Sequence, residues 1–182
     1  MNSGGFIFAC LYFFLPAYLT NLIPSLTKKI NFLNTPVDFG KKFNNIPIFG
    51  PHKTWRGVIF GTLIGMITAF FQRLLYPLPF IKEHSFFNYQ EINIFLFGFL
   101  ISFGAILGDL FFAFIKRRKN IVPGAPFIPF DQINFVLGAF FLLNFYLKIS
   151  PWIWLNILFL TFFLHIIFNH LGYWLGFQKN KW

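Results

Sequence analysis

A chain of 182 residues with 57% hydrophobic and only 11% charged positions is too apolar for a water-soluble domain, in which about a quarter of residues carry charge. The formal charge of +10 would suggest nucleic acid in a soluble protein. Here the basic residues fall in short segments between apolar runs, where lipid headgroups and topology account for most of them, so a lipid bilayer is the expected partner and nucleic acid is not.

Taken in chain order, five apolar stretches are long enough to be helical spans: about 5–26, 57–75, 92–115, 133–149 and 151–176. The predicted fold class is therefore all-α, an integral membrane protein of about five transmembrane helices forming one domain over 1–182. The first stretch has no basic start and no small-residue cleavage site after it, so it reads as a retained helix. Pro16 within it is tolerated in a membrane, and Cys10, the single cysteine, reads as a small packing residue. The fourth and fifth stretches are divided only by Ser150-Pro151, which reads as a tight hairpin.

The charges set the orientation. The 27–56 segment carries Lys28, Lys29, Lys41, Lys42, Lys53 and Arg56, the 116–132 segment carries Lys116, Arg117, Arg118 and Lys119, and the tail adds Lys179 and Lys181. An excess of Lys and Arg marks the cytoplasmic side, which places the N-terminus outside and the C-terminus inside. Asp38, Asp109 and Asp131 fall on that same side, whereas Glu83 and Glu91 fall on the other. This division suggests a shared cytoplasmic site.

Asp109 lies in an apolar span, where a carboxylate is expensive and its default reading is functional. Helical steps of four, seven and eight residues put it on one face with Ala113, Lys116 and Arg117; a structural ion pair to Lys116 or Arg117 is the bland alternative. Asp131 follows a return path stiffened by Pro123, Pro126 and Pro129. It reads either as the N-cap of the fourth helix or as a second acid beside Asp109, a pair that would suit Mg²⁺. The segment Phe49-Gly50-Pro51-His52-Lys53-Thr54-Trp55-Arg56-Gly57 offers Lys, Thr and Arg at a helix start, a pattern suited to phosphate. It lacks the glycine spacing of a Walker A loop. A basic collar with Trp55 at the interface explains it equally well. Asp38 and Lys41 read as residues of a solvated loop. His165, Asn169 and Tyr173 make one stripe on the last span, read as a helix-to-helix hydrogen-bonding face.

Asn21-Leu22-Ile23-Pro24, Pro36-Val37-Asp38-Phe39-Gly40-Lys41, Lys53-Thr54-Trp55-Arg56-Gly57, Gly108-Asp109-Leu110, Ile115-Lys116-Arg117-Arg118, Pro123-Gly124-Ala125-Pro126 and Asp131-Gln132-Ile133-Asn134-Phe135 occur in an order that resembles the CDP-archaeol synthase family, from about residue 16 to the end. The resemblance implies a Mg²⁺-dependent enzyme of the cell membrane, with its site open to the cytoplasm. It would transfer a cytidylyl group from CTP to a membrane lipid phosphate, either an archaeal-type ether lipid phosphate or phosphatidate, releasing pyrophosphate. By the same resemblance Asp109 and Asp131 would hold the metal and act with Lys53 in catalysis. Thr54, Arg56, Lys116, Arg117, Asp38 and Lys41 would bind substrate. The family commonly has a small polar residue near Ala113 and an acid where Asn134 stands. A non-catalytic membrane protein, such as a small transporter, is the alternative. It should show repeated halves and mid-span polar residues, and the chain has no internal repeat.

Overall fold

The computed structural model describes residues 2–28, 30–122 and 125–174. In chain order they form α1 (Ser3–Leu26), β1 (Lys42–Phe43), β2 (Ile46–Pro47), α2 (Trp55–Leu75), α3 (Pro79–Glu83), α4 (Ile94–Arg118), α5 (Phe130–Leu143) and α6 (Pro151–Trp174). The two strands pair antiparallel as a small hairpin, Lys42 with Pro47 and Phe43 with Ile46. Among the described residues, four helices are long and apolar enough to cross a membrane: α1, α2, α4 and the Pro151–Leu171 part of α6. The molecule is an all-α integral membrane protein.

The fourth expected span differs. The apolar run continues past residue 143, but α5 has only 14 residues, about 21 Å at 1.5 Å per residue, against a hydrocarbon core of about 30 Å. It begins earlier than expected, so Asp131 lies in its first turn. The turn-forming stretch from Asn144 replaces the expected tight hairpin and leads to Pro151, which opens α6. Pro129, not Asp131, occupies the N-cap position.

Helix association rests on small residues, as expected where lipid removes the hydrophobic drive between helices. Gly104 and Gly108 of α4 face Gly138 of α5. A methyl group on Gly104 would lie 2.8 Å from the Gly138 carbonyl oxygen, so the two backbones touch. On the other flank Gly57 and Gly61 of α2 receive Pro24 and Thr20 of α1. Thr20 Oγ1 donates either to its own Pro16 carbonyl, at 2.8 Å, or across to Gly61 O, at 3.0 Å.

The two ends of the bundle are built differently. At one end Phe13 and Phe14 of α1 pack on Trp154 of α6, and Phe13 also meets Phe97 of α4. The buried Cys10 belongs to the same apolar cluster. The segment after α2 closes this end: Phe80 packs edge-on to Phe8, and the Tyr146 hydroxyl accepts from Asn93 N–H. At the opposite end the C-terminus of α1, the start of α2, the end of α4 and the start of α5 surround a polar cleft.

Candidate active site

That cleft has a volume of about 710 Å³. Five Lys and Arg residues line it (Lys28, Lys53, Arg56, Lys116 and Arg117) against two carboxylates, Asp109 and Asp131. The α4 face expected from helical spacing is realised, since Asp109, Ala113, Lys116 and Arg117 all reach the cleft. Lys29, Pro123, Gly124, Lys179 and Lys181, which entered the sequence reading, lie outside the described residues.

Each carboxylate has its own lysine. Lys53 Nζ lies 2.5 Å from Asp109 Oδ2. Among the described residues the other oxygen, Oδ1, has only the Asn134 amide, at 3.4 Å, longer than an ordinary hydrogen bond. Lys116 Nζ holds both oxygens of Asp131, at 2.7 and 3.0 Å, and also donates to Ala125 O at 2.8 Å. Asp131 in turn accepts from the Phe127 backbone N–H at 2.8 Å. The Asn134 side-chain carbonyl is engaged by the Phe135 N–H, so the amide face of Asn134 is the one turned to Asp109.

The start of α2 departs from expectation. Its first N–H groups are not free for an anion: Trp55 N–H donates to Thr35 O, Arg56 N–H to Leu33 O, Val58 N–H to Thr54 O, and Gly57 N–H reaches the Thr54 hydroxyl at 3.5 Å. The incoming chain runs antiparallel to residues 53–55 and takes these donors. Thr54 is thus the N-cap of α2. Any anion here is left to side chains. Two arginines are placed for it: Arg56 and Arg117 are largely buried yet line the cleft. Arg56 also donates from Nη1 to Ile30 O, which fixes the guanidinium in place.

Asp38 and Lys41 line neither the cleft nor the smaller cavity beside it. Asp38 instead organises the wall: Oδ1 accepts from Gly40 N–H at 3.0 Å, and Oδ2 from Phe49 and Gly50 N–H at 2.9 and 3.2 Å. Burial works to raise the Asp38 pKa, and these N–H groups outweigh it, holding the carboxyl below its usual range. Gly50 has φ of 101°, a conformation only glycine adopts without strain, which lets its N–H turn back to Asp38. Lys41 is exposed on the surface of the loop.

Sequence reading passed over Arg118. Its Nη atoms donate to the carbonyls of Phe43, Ile46 and Pro47, and the guanidinium lies over the Phe43 and Phe114 rings. A run such as Lys116-Arg117-Arg118 reads as one basic cluster, yet successive helix positions point about 100° apart, and the third residue serves a different neighbour. Lys28 and His52, noted earlier as loop residues only, also line the cleft. His165 of the α6 stripe accepts from the Asn169 amide at 3.0 Å, a bond within the helix.

Residues 5–182 match the sequence profile of the CDP-archaeol synthase (CarS-like) family. The chain belongs to the CDP-archaeol synthase family. It is 35% identical over 176 residues to the CDP-archaeol synthase of Pyrobaculum islandicum, covering 94% of this chain and 98% of that one. Against the CDP-archaeol synthase of Methanocaldococcus jannaschii it is 34% identical over 180 residues, 97% of both chains. The fold agrees with that of a solved intramembrane enzyme for archaeal membrane lipids biosynthesis, with a TM-score of 0.73 over 90% of this chain and 94% of that one at 24% identity. In this member of the CDP-archaeol synthase family, Pro24, Lys53, Thr54, Arg56, Asp109, Lys116, Arg117, Asp131 and Asn134, drawn from separate motifs, line one basic cleft.

Proposed function

We propose that the protein transfers the cytidylyl group of CTP to a membrane lipid phosphate of the archaeal ether type. The supporting observation is the cleft, in which five Lys and Arg side chains surround two carboxylates at the mouth of a transmembrane bundle. A triphosphate brings several negative charges, and the guanidinium groups of Arg56 and Arg117 on the cleft wall are of the type suited to them. The reaction forms a bond between a lipid-phosphate oxygen and the α-phosphorus of CTP. It breaks the bond to the β-phosphate, so CDP-lipid and pyrophosphate leave. Such a transfer needs charge neutralisation and in-line placement more than covalent help.

The donor set fits Mg²⁺. Asp109 Oδ1 is nearly unengaged, and Asp131 would add a second hard donor through the remaining lone pair of Oδ1, which accepts only from Lys116 among the described residues. Among the described residues no cluster of three or more His, Cys, Asp or Glu is placed to hold a metal. Mg²⁺ would therefore complete its shell with phosphate oxygens and water, as it commonly does. When bound, it would neutralise charge on the phosphates. Lys53, which meets Asp109 at one oxygen only, would then turn to phosphate, while Lys116 adds its charge to the cleft from its place on Asp131. Thr54 sets the start of α2 so that Lys53 and Arg56 flank the cleft. The density of Lys and Arg at this end supports a reaction on the cytoplasmic leaflet of the cell membrane.

The test uses purified full-length protein in detergent with labelled CTP, Mg²⁺ and either the unsaturated ether lipid phosphate or diacyl phosphatidate. Chloroform-soluble label with release of pyrophosphate is expected, preferentially on the ether lipid. Folded protein that binds CTP but labels neither lipid would overturn the reading in favour of a non-catalytic relative.

A further inference from the structure

Asn21 and Pro24 belong to the first motif of the chain, and the cleft chemistry leaves Asn21 without a role. The structure puts both on a second, smaller cavity of about 50 Å³ between α1, α2 and α4. It shares five residues with the main cleft, among them Lys53, Thr54 and Asp109, so the two spaces meet at the Lys53–Asp109 pair. Their remaining walls differ in kind. The larger space has Lys28, Arg56, Lys116 and Arg117, whereas the smaller has Gly57, Val58, Ala105, Ile106 and Leu110. Ala105 precedes Asp109 by four residues, one helical turn, so the smaller space lies deeper in the span.

Only two polar side chains line the smaller cavity and not the larger, Thr20 and Asn21. The Thr20 hydroxyl is engaged by backbone carbonyls. Asn21 makes no side-chain hydrogen bond among the described residues, although it is half-buried within a transmembrane helix. Its amide is therefore available to donate to, or accept from, a molecule that enters the cavity. Pro24, lacking an N–H, also leaves the Thr20 carbonyl without its usual helical donor, which loosens α1 at this level.

We infer that this cavity is the neck through which the lipid acceptor reaches the reacting phosphorus, and that the Asn21 amide hydrogen-bonds its phosphoglycerol head. The nucleotide then comes from the water side of the Lys53–Asp109 pair and the lipid from the membrane side. Each substrate stays in the solvent that suits it, and the two phosphates meet at the shared residues. This inference rests on the cytidylyltransferase reading above.

Asn21→Leu keeps the size of the side chain and removes the amide. A hydrogen bond to a charged group lost in this way raises KM for the lipid phosphate about tenfold or more. KM for CTP, and CTP binding by titration calorimetry, stay at the wild-type value. Val58→Phe narrows the same neck from α2 and is expected to give the same split, which guards against a defect peculiar to α1. A rise in KM for CTP in place of lipid, a fall in kcat with both KM values unchanged, or no effect in either folded variant would overturn the proposal. Absence of any transfer by the wild-type protein would sink the parent reading instead, and the two failures are thereby told apart.

Discussion

The two Lys–Asp pairs of the cleft look alike in sequence and are built to different standards. Lys53 and Asp109, from the loop before α2 and the middle of α4, meet at one oxygen and leave the other nearly free. Lys116 and Asp131 meet at both oxygens, and each is also tied to the backbone of the 125–127 return path. The first pair can open with little loss elsewhere. The second holds a chain segment in place, and opening it releases that segment. Equal net charge at two points of one site thus hides a working pair and a fastening pair.

The largest expected effect is at the loose pair. Asp109→Asn removes a charge that the packing does not require, and transfer of label to lipid should fall by about a thousandfold, the upper range for loss of one preorganised polar group. Its melting temperature in detergent should hold or rise, because a carboxylate within a span opposes folding. A drop in melting temperature matching the loss of activity would make Asp109 a structural residue and erase the contrast.

The lysines sharpen the contrast further. Lys53→Met is expected to lower kcat about a hundredfold with little change in melting temperature. Lys116→Met leaves Asp131 part-buried without its cation and unties Ala125, a loss of about 1–3 kcal/mol. For a chain of this size that lowers the melting temperature by several degrees, at about 2–4 °C per kcal/mol. Asp131→Leu added to Lys116→Met should recover part of the stability and none of the activity, since the unpaired charge is gone. Equal melting temperatures for the two lysine variants would show that the pairs are equivalent after all.

Much of this was legible in the sequence, for physical reasons that can be named. Apolar length gave the long helices, and the price of a charge in a span singled out Asp109. Helical spacing put Lys116 and Arg117 on its face. What could not be read were features set by close backbone contact. The Gly104–Gly108–Gly138 crossing and the short α5 depend on how two helices touch, which periodicity within one helix does not record. The donors at the start of α2 were expected to be free because the strand-like segment that takes them lies about twenty residues upstream. The backbone contacts of Asp38 and Arg118 are hidden for the same reason: a charged side chain that binds backbone groups has no partner identity for sequence to reveal.

Arg118 gives a moderate effect of a third kind. It touches the hairpin and not the cleft, so Arg118→Gln should raise KM for CTP several-fold while kcat stays near wild type, as the cleft wall from Phe49 to His52 loses its support. Arg118→Lys should restore little, because one ammonium cannot reach three carbonyls or stack on two rings. Loss confined to kcat would place Arg118 in the chemistry, against the geometry.

The smallest effect is the pH response of the same wall. The Asp38 carboxyl is held below its ordinary value by the Phe49, Gly40 and Gly50 N–H groups, against the opposing effect of burial. A group with a lowered pKa in the folded state stabilises that state above its unfolded value of about 3.9, and the contribution disappears as pH falls through the folded value. At pH 5–8 the Asp38 contribution is therefore complete and flat. Below about pH 4 the melting temperature of wild type should decline more steeply than that of Asp38→Asn, which has no such proton to take up. Parallel declines in the two proteins would mean that the wall is held by the Arg118 clamp alone, with the Asp38 turn following it.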